Sequence, residues 1–207
     1  MSHLMTHSLL SAWQWALTEN PYEDMTTESS SYQDFLRVLN REPVEATPAM
    51  QAGLDFEQLV AAVLADTADA DHNWYDAARQ VAEIVGHGVY QYPASKEVEV
   101  DGRKILLYGR IDVLRAGVIY DIKFSKSYER GKYFDSTQHP MYLELVPEAE
   151  RFVYVVTNGS NVWTESYDRE DTPSIIPVVG DFLRWLELQN LMDVYLEKWK
   201  SRYSNAN

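Results

Sequence analysis

Apolar positions recur at two different spacings along this chain, and the spacing changes near residue 89. Before that point they return every three or four residues, the period of a helix with one buried face. Residues 8–18 and 31–40 read as short helices, separated by a polar loop over 19–30 with Asn20-Pro21 as its breaker. Trp13 and Trp15 cannot share one helix face, so one of them is expected to be partly exposed. Thr47 followed by Pro48 is an N-cap followed by proline at the first helical position. It opens a strong helix over 49–66, with Leu54, Leu59, Val63 and Leu64 assigned to its buried side. Residues 71–85 give another helix, ending at Gly86 or Gly88. The opening residues 1–5 are given no weight.

From Val89 the period shortens to two, as strands require. Val89 to Val100, Lys104 to Leu114 and Val118 to Phe124 read as consecutive strands joined at Asp101-Gly102 and Ala116-Gly117. A polar loop follows over 125–135, then a helix from Gln138 to Val146 with Ser136 or Thr137 as its cap and Pro140 in its first turn. Residues 151–158 have the apolar run of a buried strand, and 161–168 can pair with it. One long amphipathic helix is expected over 174–203, burying Phe182, Trp185, Leu186, Leu191, Tyr195 and Trp199. The reading is a single α/β domain: a helical extension over 1–47, a core over 48–168 with the order α-β-β-β-α-β, and a C-terminal helix over 169–207.

Within that core, one stretch carries most of the chemistry. Asp112 lies near the end of one strand, and Asp121 and Lys123 lie on the next. Alternation puts Asp121 and Lys123 on the same face and turns Ile122 into the core. Two carboxylates and one ammonium at one sheet edge are what a metal-dependent phosphodiesterase needs.

Composition narrows the setting. The 207-residue chain has no cysteine, which excludes disulfides, thiolate zinc sites and cysteine-ligated iron–sulfur clusters and fits a cytoplasmic protein. No apolar run approaches the roughly 20 residues of a membrane span, and no signal peptide is visible. The net charge of −14 is unlike that of most nucleic-acid binders. Taken one by one, the acidic runs read as solvated surface. The cations are distributed differently: Lys96, Arg103, Lys104, Arg110, Arg115, Lys123, Lys126, Arg130 and Lys132 are nine of the 18 Lys and Arg residues.

The ordered set Gly53-Leu54-Asp55-Phe56-Glu57, Gly109-Arg110-Ile111-Asp112, Asp121-Ile122-Lys123 and Gln138-His139-Pro140-Met141-Tyr142 resembles the PD-(D/E)XK nuclease superfamily. The resemblance covers about residues 48–168, and within the superfamily it runs to the RecB-type and CRISPR-associated exonucleases and to the lambda-type phage exonucleases. Glutamate at position 57, where the RecB-type pattern has histidine, is closer to the lambda type. The iron–sulfur cysteines of the CRISPR-associated relatives are missing.

The resemblance implies a restriction-endonuclease-like αβββαβ core and a Mg²⁺- or Mn²⁺-dependent DNA nuclease. Its expected role is that of an exonuclease in phage or mobile-element recombination and DNA end processing. Glu57, Asp112, Asp121 and the Ile122 carbonyl would hold the metal, and hard divalent cations prefer such oxygen ligands. Lys123 would orient the attacking water. Gln138 and Tyr142 share a helix face and would sit over the site. Lys126, Arg130 and Arg110 are the expected DNA contacts. An acidic protein that binds DNA also points to a partner, such as a phage annealing or recombination protein, or to a ring-like homo-oligomer. The competing reading is a catalytically inactive protein of this fold whose acidic surface binds a basic partner or mimics DNA. Among the histidines, His87 reads as a loop residue, His3, His7 and His72 show no ligand spacing, and His139 is a weak candidate for touching substrate.

Overall fold

The computed structural model describes residues 2–18, 30–43 and 45–201. The expected loop over 19–30 lies almost entirely outside them. Along the chain come β1 (His3–Met5), α1 (His7–Thr18), α2 (Ser30–Leu39), α3 (Pro48–Leu64) and α4 (Tyr75–Val85). They are followed by β2 (Val89–Val100), β3 (Arg103–Arg115), β4 (Val118–Phe124), α5 (Gln138–Leu145), β5 (Arg151–Thr157), β6 (Val162–Asp168), α6 (Ile176–Leu188) and α7 (Met192–Lys198). The protein is thus an α/β fold with a mixed six-stranded sheet and, among the described residues, seven α-helices. None of the helices is long and apolar enough to cross a membrane.

The local signals explain most element ends. Thr47 Oγ1 accepts the Met50 N–H at 3.2 Å, and Pro48 opens α3. Asp101-Gly102 and Ala116-Gly117 all have positive φ (49, 74, 48 and 77°), the conformation of a type I′ hairpin turn. At the start of α5, Ser136 Oγ rather than Thr137 takes a helix amide, accepting from Gln138 N–H at 3.2 Å.

Two hydrophobic clusters lie on the two faces of the sheet. One is built on α1, α2, α5, α6 and α7, with Phe152, Tyr154 and Val156 from β5. The other is built on α3 and α4, with Val153 and Val155 from the same strand. Such alternation is what a strand covered on both sides must show.

Three expectations need correction. Of the opening residues, 3–5 belong to the sheet: β1 runs parallel to β3, pairing His3 with Ile105 and Met5 with Leu107, and Met5 is wholly buried. The single C-terminal helix is two, because Asn190 takes φ 57° between α6 and α7 and breaks the ladder. Leu54 is 50% exposed rather than core, since the buried side of α3 is carried by Phe56, Leu59 and Val60. The tryptophans of α1 divide as the helix period requires: Trp13 is buried and Trp15 is exposed.

One detail of the sheet positions everything that follows. β2 pairs with β3 from Arg103 to Leu114 on one edge, skipping Asp112. On the other edge β3 has two partners, β1 at Ile105–Leu107 and β4 at Val113–Arg115. Residues 108–112 face a gap between them.

Because β1 fills the sheet beside β3 with Met5 wholly buried, Met5→Ala is expected to cost about 3 kcal/mol of folding stability. A urea or guanidinium titration checks this, and a loss under 1 kcal/mol would show that β1 contributes little to the sheet.

Candidate functional site

The gap in the β3 edge leaves backbone groups that buried structure must satisfy. Two side chains do so. The Asp112 carboxylate accepts the Ile122 N–H from β4 at 2.8 Å, and the Tyr142 hydroxyl of α5 donates to the Arg110 carbonyl at 3.1 Å. Tyr142 can reach it because Gly109 has no side chain: a Cβ there would stand 2.5 Å from Cε1 of the Tyr142 ring. The alternation of β3 also breaks here, with Ile111 packing in one cluster and Val113 in the other. Gln91, between the β2 residues that pair with them, has φ 52°. A local distortion of this kind re-aims a side chain, and the side chain at its centre is Asp112.

On β4, Asp121 and Lys123 lie on one face as alternation demands. Asp121 is 3% exposed. Its Oδ1 accepts from Gln138 Nε2 at 2.5 Å, and its Oδ2 stands 2.8 Å from Lys123 Nζ. The second contact has ion-pair distance without the angles of an aimed hydrogen bond, so Oδ2 keeps unused acceptor capacity. Ile122 points the other way into the second core cluster. Glu57 approaches from α3, where its Oε2 is 3.4 Å from Gln91 Nε2. A groove of about 280 Å³, lined by Leu54, Glu57, Tyr90, Gln91, Asp112 and Ile122 among others, opens between α3 and the sheet.

The three carboxylates feel one another. Burial raises the Asp112 proton affinity well above the usual carboxylate range, and the charges of Asp121 and Glu57 raise it further. Glu57 is raised for the same reasons, burial first and then Asp121. Burial works to lower Lys123, but the Asp121 charge outweighs it and the ammonium is held above its ordinary value. Lys123 also lies over the Tyr154 ring, 5.9 Å from its centre. The acids thus carry more negative charge than one ammonium offsets. Among the described residues, though, no three His, Asp or Glu side chains are already drawn into a closed ligand group. The donor set is entirely oxygen, and a divalent cation of the Mg²⁺ class suits it by charge and by ligand type.

The structure therefore brings some of the expected site residues together and not others. Asp112, Asp121, Lys123 and Gln138 come together at the β3–β4 opening, and Glu57 shares a groove with Asp112. Tyr142 is buried, with its phenol pushed up to about 12 by burial and by the Asp121 charge, and it serves the β3 backbone. Arg110, Lys126 and Arg130 are exposed and form no ion pair among the described residues. His139 is buried and stacked on Tyr167 at 3.9 Å, and its Nδ1 is 3.3 Å from the Tyr154 hydroxyl.

Sequence reasoning missed His7 and Gln91. His7 opens α1, its ring meets Tyr142 edge-on at 5.6 Å, and its pKa is lowered to about 3 by burial and by the Lys123 charge. Nothing in its spacing could have revealed this, because the fold alone brings it near Lys123. A larger groove of about 600 Å³, around Gly117, Arg151 and Asp168, lies toward the other end of β4 and holds none of these residues.

No protein-family model matches the chain, and no curated protein does. Among solved structures the fold is similar to the crystal structure of SSO0001, with a TM-score of 0.55 and 13% identity, covering 92% of this chain and 78% of that one. At that identity the likeness is one of fold alone.

The buried histidines make the fold acid-sensitive. Burial lowers the His139 pKa from 6.5 to about 4, so neutral His139 contributes stability that is complete above pH 6.5 and is lost as pH falls toward 4. His7 acts in the same direction, while the raised pKa of Asp112 acts in the opposite one. Between pH 7 and pH 5 the His139 share is on the order of 2 kcal/mol. Denaturation midpoints at the two pH values should therefore differ less in His139→Gln than in the wild type. Equal differences would remove His139 from the account.

Proposed function

We propose that the protein is a metal-dependent DNA nuclease of the PD-(D/E)XK type, with a restriction-endonuclease-like core. The observation that carries this reading is the opening on the β3 edge. There Asp112 and Glu57 line one groove, and the Asp121–Lys123 pair stands close enough behind it for its charges to act on Asp112. Few structural roles require a buried aspartate, a second aspartate beside it and a lysine in the same place. The mutual repulsion of the acids costs stability, and a site that binds a cation and a phosphate recovers that cost.

Glu57, Asp112, Asp121 and the Ile122 carbonyl would hold Mg²⁺ or Mn²⁺, which supplies a polarised phosphate and a more acidic bound water. The remaining work belongs to the chain. The Ile122 N–H fixes the Asp112 carboxylate, and the Gln138 amide fixes Asp121. Lys123, charged at neutral pH and held by Asp121, presents an ammonium to a non-bridging phosphate oxygen and to the attacking water. Lys126, Arg130 and Arg110 supply phosphate contacts that a chain of net charge −14 otherwise lacks. A partner or a homo-oligomer would add to these contacts, and DNA end processing is the setting that fits best. The alternative of an inactive interaction protein does not account for a Lys123–Asp121 pair set beside two further carboxylates.

Purified protein incubated with end-labelled linear and circular DNA should cut only with Mg²⁺ or Mn²⁺, and EDTA should stop it. Asp112→Asn keeps an acceptor for the Ile122 N–H while removing the charge, so it should melt within a few degrees of wild type and lose at least about 100-fold in rate. Lys123→Ala should bind metal by calorimetry and still be inactive. Cleavage by either variant at the wild-type rate would refute the assignment.

A further inference from the structure

The segment that follows Lys123, residues 125–135, forms neither helix nor strand, yet it carries Lys126, Arg130 and Lys132. A loop of this length would ordinarily sample many conformations, and long loops with a fixed shape are usually functional. Here its donors converge on one side chain. Glu165, on β6 and only 8% exposed, accepts the Tyr128 hydroxyl at 2.6 Å and the Gly131 N–H at 3.0 Å on Oε2. Its Oε1 accepts the Tyr133 N–H at 3.2 Å and the Tyr167 hydroxyl. No cation pairs with this carboxylate among the described residues. Burial opposes its ionisation, but these donors keep its proton affinity below the usual range.

The same contacts lead back to the site. Tyr133 stacks on Tyr154 at 4.3 Å, and Tyr154 lies beneath the Lys123 ammonium. Tyr167 stacks on His139, the neighbour of Gln138, whose amide holds Asp121. Lys132 folds back on Ser125 Oγ at 2.8 Å and closes the base of the loop. An open concavity of about 530 Å³ is left between Ser127 and Lys132, with Arg130 on its wall.

We propose that Glu165 is a positioning residue that ties residues 125–135 down as a cationic platform for the nucleic-acid phosphates next to the cleaved bond. This rests on the nuclease reading. A carboxylate suits the task because it accepts four neutral donors without offering one of its own, which neither an amide nor an apolar side chain does. That it pairs with none of the cations also matters, since Lys126 and Arg130 remain free to meet phosphate while Lys132 closes the loop.

Glu165→Gln keeps the size but turns one acceptor into a donor facing donors. Trypsin should then cut after Arg130 several-fold faster than in the wild type while the melting midpoint stays within a few degrees. This readout is independent of any nuclease activity. In cleavage assays with Mg²⁺ and a labelled oligonucleotide, KM should rise about tenfold and kcat fall no more than about twofold. A merely structural role would instead lower the active fraction, reducing kcat and leaving KM in place. Tyr128→Phe, which removes one donor and keeps the carboxylate, should shift KM in the same direction by a smaller factor, and it serves if Glu165→Gln does not fold. Unchanged trypsin cutting, or faster cutting with an unchanged KM, overturns the proposal. If wild-type protein neither binds nor cuts DNA, the nuclease reading itself has failed and the phosphate role fails with it, whatever trypsin reports.

Discussion

A buried strand edge cannot be left with unpaired backbone groups. On β3 that edge runs out of partners between β1 and β4; the Tyr142 phenol takes up the Arg110 carbonyl there, and the Asp112 carboxylate takes up the Ile122 N–H left over on β4. The candidate chemistry depends on that substitution. If β4 continued its ladder along β3, the Ile122 N–H would bond to backbone and Asp112 would have no fixed place. Gly109, the break in alternation at Asp112 and the positive φ of Gln91 all serve the same opening.

Electrostatics follows from this geometry. Gathering Glu57, Asp112 and Asp121 around one ammonium leaves a surplus of negative charge in a place of low polarity. The protein answers locally with donors: an amide of β4 for Asp112, the Gln138 side chain and Lys123 for Asp121, and a longer, weaker contact from Gln91 for Glu57. Each of these donors leaves the partner carboxylate with oxygen lone pairs to spare. The arrangement is stable enough to fold and open enough to take a cation.

The features visible in the sequence were those that depend on near neighbours. The positive-φ turns at Asp101-Gly102 and Ala116-Gly117, the Thr47-Pro48 helix start and the shared face of Asp121 and Lys123 all follow from residues a few positions apart. The end of the long amphipathic pattern was hidden, because Leu191 and Tyr195 continue the helical period across the break at Asn190. Leu54 misled for a related reason: its spacing suits a buried stripe, but the sheet packs against Phe56, Leu59 and Val60 instead. The roles of His7, Gln91 and Glu165 were beyond local reasoning altogether. Their partners are Tyr142 and Lys123, Glu57, and a loop two strands away, and only the tertiary arrangement names them.

The pairing of β1 sets a condition on how the molecule can be made. Its strand partner is β3, its Leu4 amide bonds to the Trp199 carbonyl, and Ser2 accepts the Ser201 N–H. The Leu4 amide and the Ser2 carbonyl are therefore satisfied only once residues near 200 have been made. Contacts this distant in sequence close slowly. During synthesis, then, β1 can pair with β3 well before its own outer backbone groups find their partners at Trp199 and Ser201.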